Sequence, residues 1–205
     1  MVTGRQTTAD DMNTFLISPR VISAPGRRRP AWLARSLSVL ALFCALLPPA
    51  HAQYGEYEVK AAFLSNFTQF VKWPAKAFAD PGTPFSIGIL GEDPFGSALE
   101  KIVQGQSVAG RKITIRRGRN AGDVRNCHLV FISKSERARV AEHIAGLQGT
   151  NALIVGETPQ FTGQGGAIGF TMEGDKVRFE ITSANAQRAG LALSSRLLKL
   201  GRGGQ

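Results

Sequence analysis

Three short, almost unbroken apolar runs do most to constrain how this 205-residue chain can fold. They are Phe85-Ser-Ile-Gly-Ile-Leu90, Cys127-His-Leu-Val-Phe-Ile-Ser133 and Asn151-Ala-Leu-Ile-Val155. Each is too short for a buried helix and lacks the polar alternation of a strand with one wet face. Each therefore reads as a strand covered on both sides. Helical patterns separate them. One carries Ala98, Leu99, Ile102 and Val103; another opens at Ser135 as an N-cap, carries Val140, Ile144 and Leu147, and stops at Gly149. Ile113-Thr-Ile115 adds a further strand. Strands that alternate with helices in this way imply βαβ units and a mostly parallel sheet.

The pattern changes after Gly163. Ala167–Met172 and Lys176–Ile181 flank Glu173-Gly174-Asp175, which predicts an antiparallel hairpin. Thr182 or Ser183 then caps a closing helix whose stripe is Ala186, Gly190, Leu193, Leu197 and Leu200. Ahead of the first strand, Glu56 to Trp73 reads as a helix with Val59, Phe63, Phe67 and Phe70 on its core face, ended by Pro74. The expected fold class is α/β: a three-layer sandwich with a mostly parallel sheet, a C-terminal antiparallel hairpin and a closing helix.

Charge is informative only once it is placed. The chain carries 25 basic and 15 acidic residues, a net +10. Six of the basic and two of the acidic residues precede Gln53, so the remainder is only moderately basic. Arg27, Arg28, Arg29 and Arg35 lead into the apolar run Leu37–Leu47, followed by Pro48-Pro49 and the small-residue site Ala50-His51-Ala52. That layout is a secretory signal peptide with cleavage expected after Ala52, since the run falls short of the ~20 residues of a membrane span. The expected organisation is an N-terminal extension with a cleaved signal peptide over residues 1–52 and a single domain over 53–205. The product is expected to be exported, with no membrane insertion after cleavage and no nucleic acid as partner. It keeps only Cys127, which excludes an internal disulfide.

Catalytic and cofactor motifs fail one by one. Gly91-x-x-x-x-Gly96-Ser97 lacks the lysine of a phosphate loop, and Gly163-x-Gly165 meets Ile168 where a dinucleotide fingerprint needs glycine. Cys127, His128 and His143 are too few and too scattered for a closed zinc site, and Cys127 and His128 point to opposite faces of a strand. No Gly-x-Ser-x-Gly elbow accompanies Ser194 or Ser195, and His143 is expected at the surface of its helix. No enzyme activity and no cofactor is expected. Arg116, Arg117 and Arg119 form the densest basic run of this part of the chain, read either as a solvated strand end or as an anion or partner patch. The loop Phe161-Thr-Gly-Gln-Gly-Gly166 follows the last parallel strand, where α/β sheets often place ligands; it is equally a connector that needs glycine to turn.

Several blocks together resemble the YfiR/HmsC-like family. They are Val59-Lys-Ala-Ala-Phe-Leu-Ser-Asn-Phe-Thr-Gln-Phe-Val-Lys-Trp-Pro74, Ile87–Gly96, Cys127–Ser133, Gly156–Gly166, Lys176–Ile181 and Leu193–Lys199. The resemblance implies a periplasmic α/β regulator, not a catalyst. It implies binding to the periplasmic domain of a membrane-bound diguanylate cyclase, repression of cyclic-di-GMP synthesis, and control of exopolysaccharide and biofilm. Characterised relatives carry paired cysteines linked to redox sensing, and a chain left with Cys127 alone departs from that pattern. The residues expected at the partner interface are Tyr57, Phe161, Gln164, Lys176 and Arg178, with a homodimer also compatible. The alternative is a periplasmic small-molecule sensor that uses the crevices near Gly91 and Gly165.

Overall fold

The structure, a computed structural model, describes residues 55–202. The chain divides into two units, Met1–His51 and Ala52–Gln205, and every described residue belongs to the second. The expected signal peptide and its cleavage point lie outside the described residues.

In chain order the elements are α1 (Glu56–Phe70), β1 (Val71–Lys72), β2 (Phe85–Leu90), α2 (Ala98–Val103), β3 (Ser107–Val108) and β4 (Arg111–Gly118). Then come β5 (Leu129–Ile132), α3 (Val140–Gly146), β6 (Leu153–Gly156), β7 (Ile168–Glu173), β8 (Lys176–Ile181), α4 (Ser183–Arg188), β9 (Ala192–Leu193) and α5 (Ser195–Leu200). The main sheet has the order β3-β4-β2-β5-β6-β7-β8. Its five inner strands are parallel, and β3 and β8 are antiparallel at the two edges.

Strand alternation sorts the core into two layers. Ile87, Ile89, Leu129, Phe131, Leu153 and Val155 turn to the front face, against Ala61, Leu64 and Phe67 of α1 and Leu99 and Val103 of α2. Leu90, Val130 and Ile132 turn to the back, against Val124, Val140, Ile144 and Leu147. Helices therefore cover both faces, as the apolar runs require. Burial of each of these large side chains contributes roughly 1.5–3 kcal/mol before conformational entropy is counted.

Four local expectations are corrected. The helix at the start ends at Phe70, not Trp73, because Val71 and Lys72 pair with Leu193 and Ala192. That same pairing splits the closing helix into α4 and α5. The chain turns at Gly190 with φ +75°, crosses as β9, and restarts at Ser194, whose Oγ accepts the Leu197 N–H at 3.2 Å. Ser135 is not the N-cap of a long helix. Its hydroxyl instead receives the Glu92 N–H at 3.0 Å, and α3 begins only at Val140. His143 is buried, bonded through Nε2 to Glu136 at 2.7 Å, not exposed.

Candidate partner-binding surface

The carboxyl ends of the parallel strands are where an α/β sheet ordinarily leaves a crevice, above all where successive connections diverge to opposite faces. Here that point lies between β2 and β5, since α2 runs over the front and α3 over the back. The protein fills the place itself. Gly91 has φ +94°, and a Cβ added there would meet Ser135 Oγ and Glu136 Cγ, so the two loops close against each other. Phe95 packs edge-on to Phe131 with centroids 4.8 Å apart and to Tyr57 at 5.8 Å.

Beside this seal sits a buried ionic cluster. Lys60, from the sheet-facing side of α1, reaches Glu157 Oε2 at 2.5 Å and also bonds Glu56. Glu157 follows β6 directly; its other oxygen accepts the Lys134 backbone N–H at 3.0 Å and the Tyr57 hydroxyl at 3.5 Å. The Lys60 ammonium lies 4.7 Å from the centroid of the Tyr57 ring. The Tyr57 hydroxyl holds the Lys134 pKa above its ordinary value, helped by the charges of Glu157 and Glu56. Tyr57 helps to fasten α1 onto the strand ends and stays half-exposed. Hydropathy could not reveal Lys60 and Glu157, because each is buried by a partner 97 residues away.

Phe161 is corrected from interface to core. Its ring is 1% exposed and is wedged between Gly156 and Gly166, where an added Cβ at either glycine would overlap it. The loop's glycines make room for an aromatic plug, and the signal was there in a phenylalanine flanked by glycines on both sides. Asn185 fixes the loop by donating to Thr162 O at 2.9 Å and Gly166 O at 2.6 Å.

Lys176 and Arg178 do share a surface. With Val59 and Phe63 of α1 and Met172 and Val177 of the hairpin they line an open groove of about 680 Å³. Met172 is 46% exposed, one of two large hydrophobic residues so placed among the described residues. Arg178 Nε bonds Glu173 at 3.0 Å, and Arg202 bonds the same carboxylate at 2.8 Å. These two guanidinium groups hold the Glu173 carboxyl below its usual range. Lys176 has no ion-pair partner among the described residues. Gln164 lies elsewhere, exposed at the mouth of a second cavity of about 600 Å³ with Ile144, Ile154 and Arg188.

Cys127 is free and buried, and burial pushes its thiol up to about 11, which keeps it protonated and unreactive at neutral pH. Among the described residues no group of three or more His, Cys, Asp or Glu side chains is arranged to hold a metal ion. No described helix is long and apolar enough to cross a membrane.

Comparison with solved structures finds a conserved domain protein from Vibrio cholerae O1 biovar El Tor, at TM-score 0.47 and 11% identity over 72% of this chain and 60% of that one. It also finds the ABC domain in complex with L-Trp from Streptococcus pneumoniae, at TM-score 0.43 and 11% identity over 58% of this chain and 54% of that one. The chain thus spans less than two thirds of either structure, and neither likeness carries an argument about function. A comparison with curated proteins finds no match. The family comparison matches residues 57–202, from the second residue of α1 to the bridge that follows α5. On that match the chain belongs to the YfiR/HmsC-like family, whose members are periplasmic regulatory domains.

Proposed function

We propose that this protein is a periplasmic repressor of an inner-membrane diguanylate cyclase. It binds the cyclase's periplasmic domain and thereby lowers cyclic-di-GMP and the exopolysaccharide and biofilm that follow from it. The observation that carries this reading is the family match across residues 57–202. Two features of the molecule support it. The crevice that would serve catalysis is packed with the protein's own side chains, and the groove by the hairpin offers exposed Met172 beside Lys176 and Arg178. Methionine at such a surface adapts its shape to a partner at low cost, and the flanking cations orient it. Binding of this kind biases the cyclase only as far as the affinity differs between its active and inactive states. Deletion of the gene in a cell that makes both proteins should raise cyclic-di-GMP; an unchanged level would count against the reading.

A second reading has one specific observation in its favour. The cavity between α3, the Gly163–Gly165 loop and α4 has an apolar floor of Ile144, Ala152 and Ile154 beneath Gln164 and Arg188. Its volume lies within the range of small-molecule sites. A ligand held there would make the protein a sensor, and the two readings are compatible. A ligand that binds only the folded state raises the melting temperature, which a thermal-shift screen detects.

A further inference from the structure

The basic run Arg116, Arg117 and Arg119 lies on and just after a strand whose outer edge is open. β3 pairs with only Arg111 and Lys112 of β4, so residues 113–118 have β2 on one side and no strand on the other. Gly91 N–H donates to Gly118 O across the β2 side at 2.9 Å. In a strand the N–H and C=O of one residue point the same way and alternate along the chain. The even-numbered residues of β4 therefore face β2, and the N–H and C=O groups of Ile113, Ile115 and Arg117 face outward. The antiparallel register of β3 sets the Ile113 N–H against Gln106 O, whereas no strand faces the outward N–H and C=O groups of Ile115 and Arg117.

The side chains of the same edge define what could fill it. Ile113 and Ile115 are half-buried on the front face and line a groove of about 690 Å³ between β4 and α2, with Val103. Lys112 and Arg116 alternate with them. Arg117 is tied to Asp93 at 2.6 Å and to Glu100, and these carboxylates raise its pKa. Lys112, Arg116 and Arg119 have no ion-pair partner among the described residues. The strand Arg111-Lys-Ile-Thr-Ile-Arg-Arg-Gly118 contains four cations and no acid. Cations on an edge strand are a known defence against self-pairing. Two copies of β4 would bring cation against cation with no carboxylate in either strand, so a second copy of this chain is the wrong occupant.

We propose that the open edge of β4 is a docking site for an extended, acidic segment of a partner protein that adds to the sheet as an extra strand. Its backbone would meet the outward groups of Ile115 and Arg117. Its apolar side chains would cover Ile113 and Ile115, and its alternate carboxylates would meet Lys112 and Arg116. This rests on the reading that the protein acts by binding a partner protein, and it adds a contact on the sheet edge opposite β8.

The test uses the protein purified as the cell produces it, isotopically labelled, and a seven-residue peptide alternating Glu or Asp with Val. Amide exchange at Ile115 and Arg117 should slow by about tenfold or more when the peptide saturates, while Thr114 and Arg116, already bonded to β2, should not change. The double substitution Lys112→Glu with Arg116→Glu should weaken the peptide by about tenfold or more at an unchanged melting temperature. It should weaken capture of the cyclase's periplasmic domain as well. Absence of slowing at the two outward amides overturns the proposal. So does equal slowing by a single-stranded oligonucleotide of matched charge, or undiminished cyclase capture by the doubly substituted protein; all three leave the regulatory reading intact. Failure of the unsubstituted protein to capture the cyclase domain would instead sink that reading and, with it, the assignment of the edge to the same partner.

Discussion

His128 shows how one side chain can be satisfied in a single protonation state. Its ring is stacked between Phe78 and Phe85, with centroids at 4.4 and 5.0 Å. The Ser86 N–H donates to Nδ1 at 3.0 Å, which makes Nδ1 the acceptor, and Nε2 therefore donates to Ala77 O, also at 3.0 Å. Protonation of Nδ1 would set one N–H against another. Burial accordingly pushes the pKa below its ordinary 6.5. The unfolded chain then takes up the proton first, so the stabilisation is fully present above about pH 6.5 and is lost as pH falls through the lower, folded value. Denaturant titrations at pH 7.5 and pH 5 should show a drop in stability that shrinks in His128→Asn; an equal drop in both proteins would remove His128 as its source. Phe161 makes a steric counterpart. Gly166→Ala should cost about 1–3 kcal/mol, because its Cβ enters the space of the ring, and Phe161→Leu on that background should recover part of the loss. A melting temperature for Gly166→Ala equal to the parent's would contradict the wedge.

At the scale of elements, α1 and the C-terminal helices show what hydropathy can and cannot read. The phenylalanine stripe of α1 does meet the core, with Phe63 and Phe67 clustered on Phe170 and Phe179. Its fully buried residues are nonetheless Lys60, Ala61, Leu64, Ser65, Phe67 and Thr68, a face that keeps only Phe67 of the predicted stripe. Three of those six are polar. Lys60 is compensated by Glu157, Ser65 by Gln106 at 2.7 Å, and Thr68 by the Ser65 carbonyl. Periodicity cannot anticipate that, since two of the partners come from distant loops. The parallel strands were legible because continuous apolar runs have few other solutions. The closing helix was misread because its spacing of apolar residues survives a break at Gly190, whose positive φ is a backbone property that leaves no mark on hydropathy. Of the proposed surface, Lys176 and Arg178 were legible as outward residues of an alternating strand, whereas Met172 and the apolar floor beneath it became visible only when α1 was laid across the hairpin. Gly190→Ala forces a side chain into the left-handed region and against Asn151, so it should destabilise by roughly 1–2 kcal/mol and loosen the β1–β9 pairing. Urea unfolding checks the energy, and amide exchange at Ser194, which donates to Phe70 O, checks the pairing.

In the whole molecule, an α/β scaffold carries the surfaces proposed to bind a partner. The scaffold closes its own ligand crevice with the Gly91 and Ser135 loops and Phe95, fastens α1 beside it through Lys60 and Glu157, fills its glycine loop with Phe161, and keeps its one described thiol buried and protonated. Redox release through an internal disulfide has no second cysteine to use among the described residues. The groove beside the hairpin and the basic edge of β4 stay outward, at opposite ends of one sheet. A partner domain that engages either could be held in one of its two states without any chemistry by the regulator. The most direct measurement is diguanylate cyclase activity in membranes reconstituted with the full-length cyclase, titrated with this protein from the periplasmic side. Cyclic-di-GMP synthesis should fall to a plateau at a fixed stoichiometry, and Lys176→Glu with Arg178→Glu should shift the titration to higher concentration. Synthesis that stays constant while the protein is shown to be folded and in excess would contradict the central claim.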